Sequence, residues 1–375
     1  MNRIRVLQAA CAPVEVAGQV AGITGPERRA ANLAPRWQEL GLDVVIAYPQ
    51  RGALWGELEA TGLTLVDFEL RGWRDFAGAR RIKEVARVHR VDLIHSQGGA
   101  ALDLACVRAA RSLGIASLVT RPVMIADNVN RSRLARAIHG TVDRHFTLRL
   151  ADGVVAVSKD GFDRLAPVVG RQRLHLVHNG VKPFAGSAGG ALPGPVARHH
   201  VGMIGHLLDY KGWDDFLRVA KVLSDDGHDV AWHIVGEGPE RASLEAMARD
   251  FGIADRVLFH GLLHDVTPVL AALDLFLFTS HREGLSVAVL EAMSAGLPLV
   301  ATDVGGIADQ VIEGENGFIV PDGDVAAAAA RVCMLVTDDA LRERMGAASR
   351  QRMEAHFSEQ AMLSNYTALY RQLAR

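Results

Sequence analysis

Residues 278–291 read Phe278-Thr279-Ser280-His281-Arg282-Glu283-Gly284-Leu285-Ser286-Val287-Ala288-Val289-Leu290-Glu291. An apolar run, 275–278, ends here and a polar turn holding Gly284 follows. Ser286 stands where a helix cap belongs, because its hydroxyl oxygen can accept from an amide N–H that a helix start leaves unpaired. Gly296 and Pro298 then punctuate the helix end. A strand that turns into a helix is half of a strand–helix–strand crossover. It sets the helix's free N–H groups at the strand's carboxyl end, an anion site suited to phosphate. Glu283 lies in the loop beside that site. Glu291 follows Ser286 by five residues, about 7–8 Å along the axis at 1.5 Å per residue. One acid would then reach a sugar next to the phosphates, the other a ribose on their far side. The competing reading is two surface acids around an ordinary helix.

The same pattern repeats outward in both directions. Short apolar runs at 5–9, 43–47, 63–68, 93–95, 116–120, 153–157 and 174–177 alternate with helical patterns at 28–40, 79–88, 100–113 and 159–166. Residues 183–195, PFAGSAGGALPGP, carry no periodic apolar face and read as a linker. The alternation restarts with runs at 201–204, 231–235, 257–259, 275–278, 299–301 and 317–320. Helical patterns lie between them at 213–226, 242–251, 266–272, 286–295 and 325–336. Such alternation predicts α/β architecture, two doubly wound parallel sheets with ligands at the carboxyl ends of their strands. The expected division is 1–182, a linker at 183–198, a second domain at 199–356, and a helical tail at 357–375.

Composition narrows the function classes. A chain of 375 residues is long enough for two domains. Lys plus Arg is 41 and Asp plus Glu is 43, so a net charge of −2 argues against a nucleic-acid partner for the chain as a whole. Cys11, Cys106 and Cys333 are scattered, giving neither a disulfide framework nor a zinc pattern. A reducing, cytoplasmic compartment is expected. No apolar run approaches the roughly 20 residues that span a bilayer. Residues 4–10 read as a buried strand rather than a signal peptide, because Glu15 interrupts a thin apolar core.

Other strand ends carry polar turns. Gly205-His206-Leu207-Leu208-Asp209-Tyr210-Lys211-Gly212 combines a glycine turn with a lysine, a mobile point charge suited to a diphosphate. Val235-Gly236-Glu237-Gly238-Pro239 offers close backbone approach. In the first half, Gly18, Gly22 and Gly25 lack the spacing of a phosphate-binding lysine loop. His95 to Gly99 and Thr120-Arg121-Pro122 follow two further strands. Asp322-Gly323-Asp324 reads as a helix cap more than a metal–diphosphate motif. His199, His200 and His206 do not complete a ligand set, so no metal is expected. Residues 131–149 carry five arginines, with Leu134, Ile138, Val142 and Phe146 at four-residue spacing. This basic amphipathic pattern fits an anionic membrane surface or a solvated helix face on the sheet.

Taken in order, GHLLDYKG, VGEGP, EGLSVAVLE, SAGLPLVATDVGG and NGFIVPDGD, with DLIHSQG, GVVAVS and VHNGV before them, resemble the group 1 (family 4) glycosyltransferases of the GT-B fold. The resemblance implies two Rossmann-like domains facing across a cleft, with the last helix returning to the first domain. It implies transfer of a sugar, with retention of configuration, from a nucleotide-sugar donor to a glycan or lipid-linked acceptor, in cell-surface polysaccharide or glycolipid synthesis. The nucleotide-sugar is a substrate, and neither cofactor nor metal is implied. Glu283 would contact the donor sugar and Glu291 the ribose. Lys211 and His206 would hold the leaving diphosphate with amides near Gly284, Leu285 and Ser286. Gly205, Gly236 and Gly238 would border the donor, and Leu262 and Leu263 would line the base. Gly22, Gly25, His95 and Arg121 would face the acceptor. Two departures stand out: relatives usually have Arg where His206 stands, and many have His in the region of Arg121. The alternatives are a sugar-nucleotide epimerase of similar fold and a non-catalytic sugar-nucleotide-binding protein.

Overall fold

The computed structural model describes residues 3–10, 15–16, 19–20, 33, 36–48, 55–60, 62–70, 75–97, 99–122, 141, 143–186 and 196–374. The chain forms two compact units: Met1–His178 with Met362–Arg375, and Asn179–Ala361. The first holds a sheet of β1 (Ile4–Ala10), β2 (Leu42–Tyr48), β3 (Thr64–Asp67), β4 (Leu93–Gln97), β5 (Ala116–Arg121), β6 (Gly153–Ala156) and β7 (Leu174–Leu176), in the order β3-β2-β1-β4-β5-β6-β7. The second holds β8 (His199–Ile204), β9 (Val230–Val235), β10 (Val257–Gly261), β11 (Leu275–Phe278), β12 (Leu299–Thr302) and β13 (Gly317–Val320), in the order β10-β9-β8-β11-β12-β13.

Every pairing in these two sheets is parallel. Parallel strands carry crossovers on both faces, so they are buried on both sides and read as apolar runs. All six residues of β9 and all four of β11 are buried. Helix α1 (Trp213–Asp225) shows how a crossover packs: Trp213, Phe216, Leu217, Val219, Ala220 and Leu223 form its buried stripe. In each sheet the strand order reverses beside the first strand, between β1 and β4 and between β8 and β11. Connections leave in opposite directions there, which opens a crevice at the carboxyl ends.

Two features depart from the sequence reading. An 18-residue helix, Asp339–His356, lies where no element was expected. Its buried positions are Met345, Gly346, Ser349 and Met353. Small and polar residues among these blur the apolar period, and Gly346 is needed because a Cβ would strike the Gly296 carbonyl. The division between units also falls at 178/179 and 361/362 rather than at 182/183 and 356/357. Backbone bonds between Val181 and both Phe357 and Glu359, at 3.0 and 2.9 Å, tie those stretches into the second unit. The expected linker residues 187–195 lie outside the described residues.

The last helix, α2 (Glu359–Leu373), closes the first unit. Its Met362, Leu363, Tyr366, Leu369 and Tyr370 join Val6, Trp37, Leu93 and Leu118 in one core. Among the described residues no helix is long and apolar enough to cross a membrane. Since Leu363 is fully buried in that core, Leu363→Ala should cost the first unit about 2–5 kcal/mol. Chemical denaturation followed by a first-unit probe such as Trp37 fluorescence checks this. A loss below about 1 kcal/mol, the scale of a surface change, would contradict the packing.

Candidate functional site

The second unit's switch point is built by two turns that touch. After β8 the chain passes Gly205 and enters a short 3-10 turn, Asp209–Lys211, before Gly212 starts α1. Gly212 has φ of 65°, and a Cβ there would collide with the Thr279 carbonyl just past β11. Only glycine accepts both conditions. The contact is fastened from both sides. Thr279 Oγ1 donates to the Gly212 carbonyl at 2.7 Å, and the His281 N–H donates to the Tyr210 carbonyl at 2.9 Å. Thr302 Oγ1, from β12, donates to the Ser280 carbonyl at 2.5 Å.

This stitching brings Lys211 and Glu283 together although 72 residues separate them. The Lys211 Nζ is paired with Glu283 Oε1, which also accepts from Ser280 Oγ at 3.2 Å. Rings of Tyr210 and Phe278 lie 5.6 and 5.9 Å from the ammonium. The two side chains are 16% and 13% exposed. They are shielded enough for their charges to act strongly and open enough for a ligand to reach them. Gly305, at φ of 55°, lies where a Cβ would strike the Glu283 carbonyl, so the 303–306 turn braces that residue from behind.

The helix after this loop is α3 (Val287–Ala295). Ser286 caps it, its Oγ accepting from the Val289 N–H at 3.4 Å. The Ser286 N–H itself is committed to Gln310 Oε1 at 3.1 Å, and Gln310 Nε2 returns a 2.7 Å bond to the Ser286 carbonyl. The expected amide cradle at 284–286 is therefore partly spent on folding. By helix geometry the remaining first-turn donors are Val287 and Ala288. Leu285 is buried, and its carbonyl accepts from Asn179 Nδ2 at 3.1 Å. Glu291 is half-buried on α3. Thr279, Gly305 and Gln310 were missed in the sequence. The double glycine 305–306 after a strand was the available signal for Gly305, and nothing local marks the partners of the other two.

Gly236 and Gly238 lie against the turn after β8. A Cβ on either would strike the Gly205 or the Leu207 carbonyl, so they admit the protein's own 205–207 turn. The Leu207 N–H donates to the Glu237 carbonyl at 3.0 Å, and the Trp213 indole donates to the His206 carbonyl at 2.9 Å. The His206 imidazole reaches solvent, yet desolvation by its surroundings and the Lys211 charge hold its pKa below the ordinary value. Leu262, past the end of β10, is 48% exposed, and Leu263 is half-buried.

Of the residues expected on the acceptor side of the first unit, His95 and Arg121 are described, and both are engaged within the fold. His95 is fully buried, with Nδ1 2.6 Å from Tyr370 Oη and Nε2 2.8 Å from Thr120 Oγ1. Both ring nitrogens are thus engaged, Nδ1 joining the sheet to α2 and Nε2 joining β4 to β5. Arg121 is 4% exposed and paired with Asp103 and Asp143. Burial raises the Asp103 carboxyl to about 6. Both residues point inward to structural partners. Gly22 and Gly25 lie outside the described residues, as does 131–140 of the basic segment. The described part, Asp143–Leu148, winds as a π-helix rather than a regular amphipathic helix, with Phe146 51% exposed. Asp324 caps the helix Val325–Thr337, as its position suggested, while Asp322 bonds His281. His199, His200 and His206 do not converge. His200 instead begins a hydrogen-bonded row through His233 to His260 across three strands.

Comparison with known proteins places this geometry in a family. The family described as "Glycosyl transferases group 1" matches residues 195–352, and "Glycosyltransferase Family 4" matches residues 23–183. The chain is 30% identical to 2-deoxystreptamine glucosyltransferase of Streptomyces kanamyceticus over 66% of its own length and 68% of that protein. It is 33% identical to N-acetyl-alpha-D-glucosaminyl L-malate synthase of Bacillus anthracis, over 42% of this chain and only 40% of that relative. Anabaena Alr3699/HepE, solved in complex with UDP-glucose, superposes with a TM-score of 0.80 over 99% of this chain and 100% of that one, at 18% identity. That likeness concerns the fold, two Rossmann-like domains of the GT-B type. The chain therefore belongs to the group 1, family 4 glycosyltransferases.

Proposed function

We propose that the chain moves a sugar from a nucleotide-diphosphate-sugar to a glycan or lipid-linked acceptor, with retention of anomeric configuration and without a metal. The observation that carries this reading is the Lys211–Glu283 pair, set beside the start of α3 at the switch point of the second sheet. A lysine ammonium has three protons, so Lys211 can keep Glu283 while donating to a phosphate. Lys211 and the first-turn amides of Val287 and Ala288 would stabilise the charge that grows on the departing diphosphate. Glu283 would meet the donor sugar, Glu291 the ribose, and the exposed face of Leu262 the base. Same-face attack, with the leaving phosphate taking the acceptor's proton, fits a site whose carboxylate is already tied to a lysine. Relatives named for capsular polysaccharide and lipopolysaccharide core synthesis support the glycan side of the reading.

A transfer assay over a panel of nucleotide-sugars tests this, with the product anomer read by NMR. Transfer requires an acceptor, epimerisation requires none, and a binding protein turns nothing over. Glu283→Gln should lower kcat by about 10²–10³-fold, the scale of losing a charge that acts on the transition state. Glu291→Ala should mainly raise KM, by about tenfold or 1.4 kcal/mol. Full activity in both variants would place the site elsewhere.

The working place proposed is the cytoplasm, at the inner face of the membrane. The exposed Phe146 beside the basic segment supports that docking. Sedimentation with anionic vesicles should fall with salt and be lost in a variant with Arg133, Arg136 and Arg144 changed to Gln. Equal sedimentation with neutral vesicles would contradict it.

His206 makes donor binding depend on pH. Its pKa is low in the free protein, and an arriving diphosphate favours the charged imidazole and raises it. Between the free and bound values, binding takes up a proton. Affinity is highest below the free value and falls as pH rises through the bound one. Calorimetry in two buffers of different ionisation heat should show uptake that His206→Gln removes. Equal proton counts in both proteins from about pH 5 to 8, a span that starts below the ordinary imidazole value of about 6.5, would take His206 out of the site.

A further inference from the structure

His281 belongs to none of the roles above, yet it sits at the centre of the frame that holds them. Its Nδ1 donates to Asp322 Oδ1 at 2.6 Å, on the turn beyond β13. Its Nε2 faces Asp215 Oδ2 at 4.0 Å, in the first turn of α1. The same nitrogen lies 3.4 Å from where a Gly212 Cβ would be, so the ring fills the space that the glycine leaves. Asp215 is 8% exposed, and its other oxygen accepts from Arg218 at 2.6 Å. The backbone of His281 is also committed, its N–H donating to the Tyr210 carbonyl. One residue thus ties the Lys211 turn, the Glu283 loop and the turn after β13. Its neighbours bond the Lys211 turn, Thr279 at Gly212 and Ser280 at Tyr210, and the Ser280 carbonyl accepts from Thr302 on β12. The His281 side chain reaches the turn beyond β13 as well as the start of α1.

We infer that His281 is a positioning residue of the donor site: its imidazole, bonded to Asp322 and facing Asp215, sets the distance at which Glu283 meets Lys211. Glu283 lies two residues along the same loop, and Lys211 lies four residues before Asp215 on the opposite turn. Any change in how far the loop stands from the start of α1 is therefore a change in the Lys211–Glu283 spacing. This inference deepens the donor-site reading and rests on it for its functional meaning. It also gives Asp322 a partner in the fold, beside the capping role of Asp324.

The test uses the full chain and two readouts. The first is the rate at which an acylating reagent modifies Lys211, followed by peptide mass spectrometry, with Lys159 and Lys221 as internal references. The second is calorimetric affinity for UDP, GDP and ADP, each tried alone. In His281→Ala and Asp322→Ala, Lys211 should acylate several-fold faster, and affinity for whichever diphosphate binds should drop about tenfold, the scale of coupling within one network. His281→Gln keeps an N–H donor for Asp322 and should stay within about twofold of the wild type on the same scale. Unchanged Lys211 reactivity in His281→Ala overturns the inference, as does a Gln variant that behaves like the Ala one. Should His281→Ala not fold, Asp322→Ala carries the test, because Asp322 is 45% exposed. If Lys211 responds as expected while no nucleoside diphosphate binds the wild type, the positioning role stands and the nucleotide-sugar reading falls.

Discussion

The backbone contact between Gly212 and Thr279 is the constraint on which the second unit's site depends. A residue with a Cβ cannot occupy position 212, because both its backbone angle and the Thr279 carbonyl exclude one. The Thr279 hydroxyl then fixes the separation by bonding the Gly212 carbonyl. The parallel order of the sheet makes β8 and β11 neighbours across the switch point. The glycine lets the turns beyond those strands close on one another. Lys211 and Glu283 meet as a consequence.

The same device recurs around the site. Gly236 and Gly238 admit the 205–207 turn, and Gly305 admits the Glu283 backbone. Each glycine loses more conformational entropy on folding than a larger residue would. What it gains is backbone-to-backbone contact that no side-chain motion can loosen. A site held this way is set before a ligand arrives, so less binding energy is lost to ordering. The Lys211–Glu283 pair fits that logic. Isolated surface pairs contribute little, but a largely shielded pair presents a fixed charge pattern that an anionic group can join.

Much of this architecture was legible in the sequence. Thirteen apolar runs match the thirteen strands of the two sheets, because burial on both faces leaves little room for polar residues. The strand–turn–helix at 275–295 was readable because a serine cap and a Gly–Pro stop are local signals. What escaped was set by long-range contacts. His95 and Arg121 are polar residues at strand ends, where ligands bind, and nothing nearby reveals their partners. The inward contact of His95 comes from Tyr370, 275 residues away, and the Arg121 partners are Asp103 and Asp143. Gln310 was equally hidden, since its bonds to Ser286 cross 24 residues. The helix Asp339–His356 was obscured by a buried face built from methionine, glycine and serine.

In the proposed reading, the second unit's switch point holds a diphosphate between Lys211 and the start of α3. A crystal structure of the chain with a bound nucleoside diphosphate tests it most directly. The terminal phosphate is expected within hydrogen-bonding distance of Lys211 Nζ and the amides of Val287 or Ala288, with the ribose toward Glu291 and the base against Leu262. A diphosphate bound elsewhere, with Lys211 still turned only to Glu283, would contradict it.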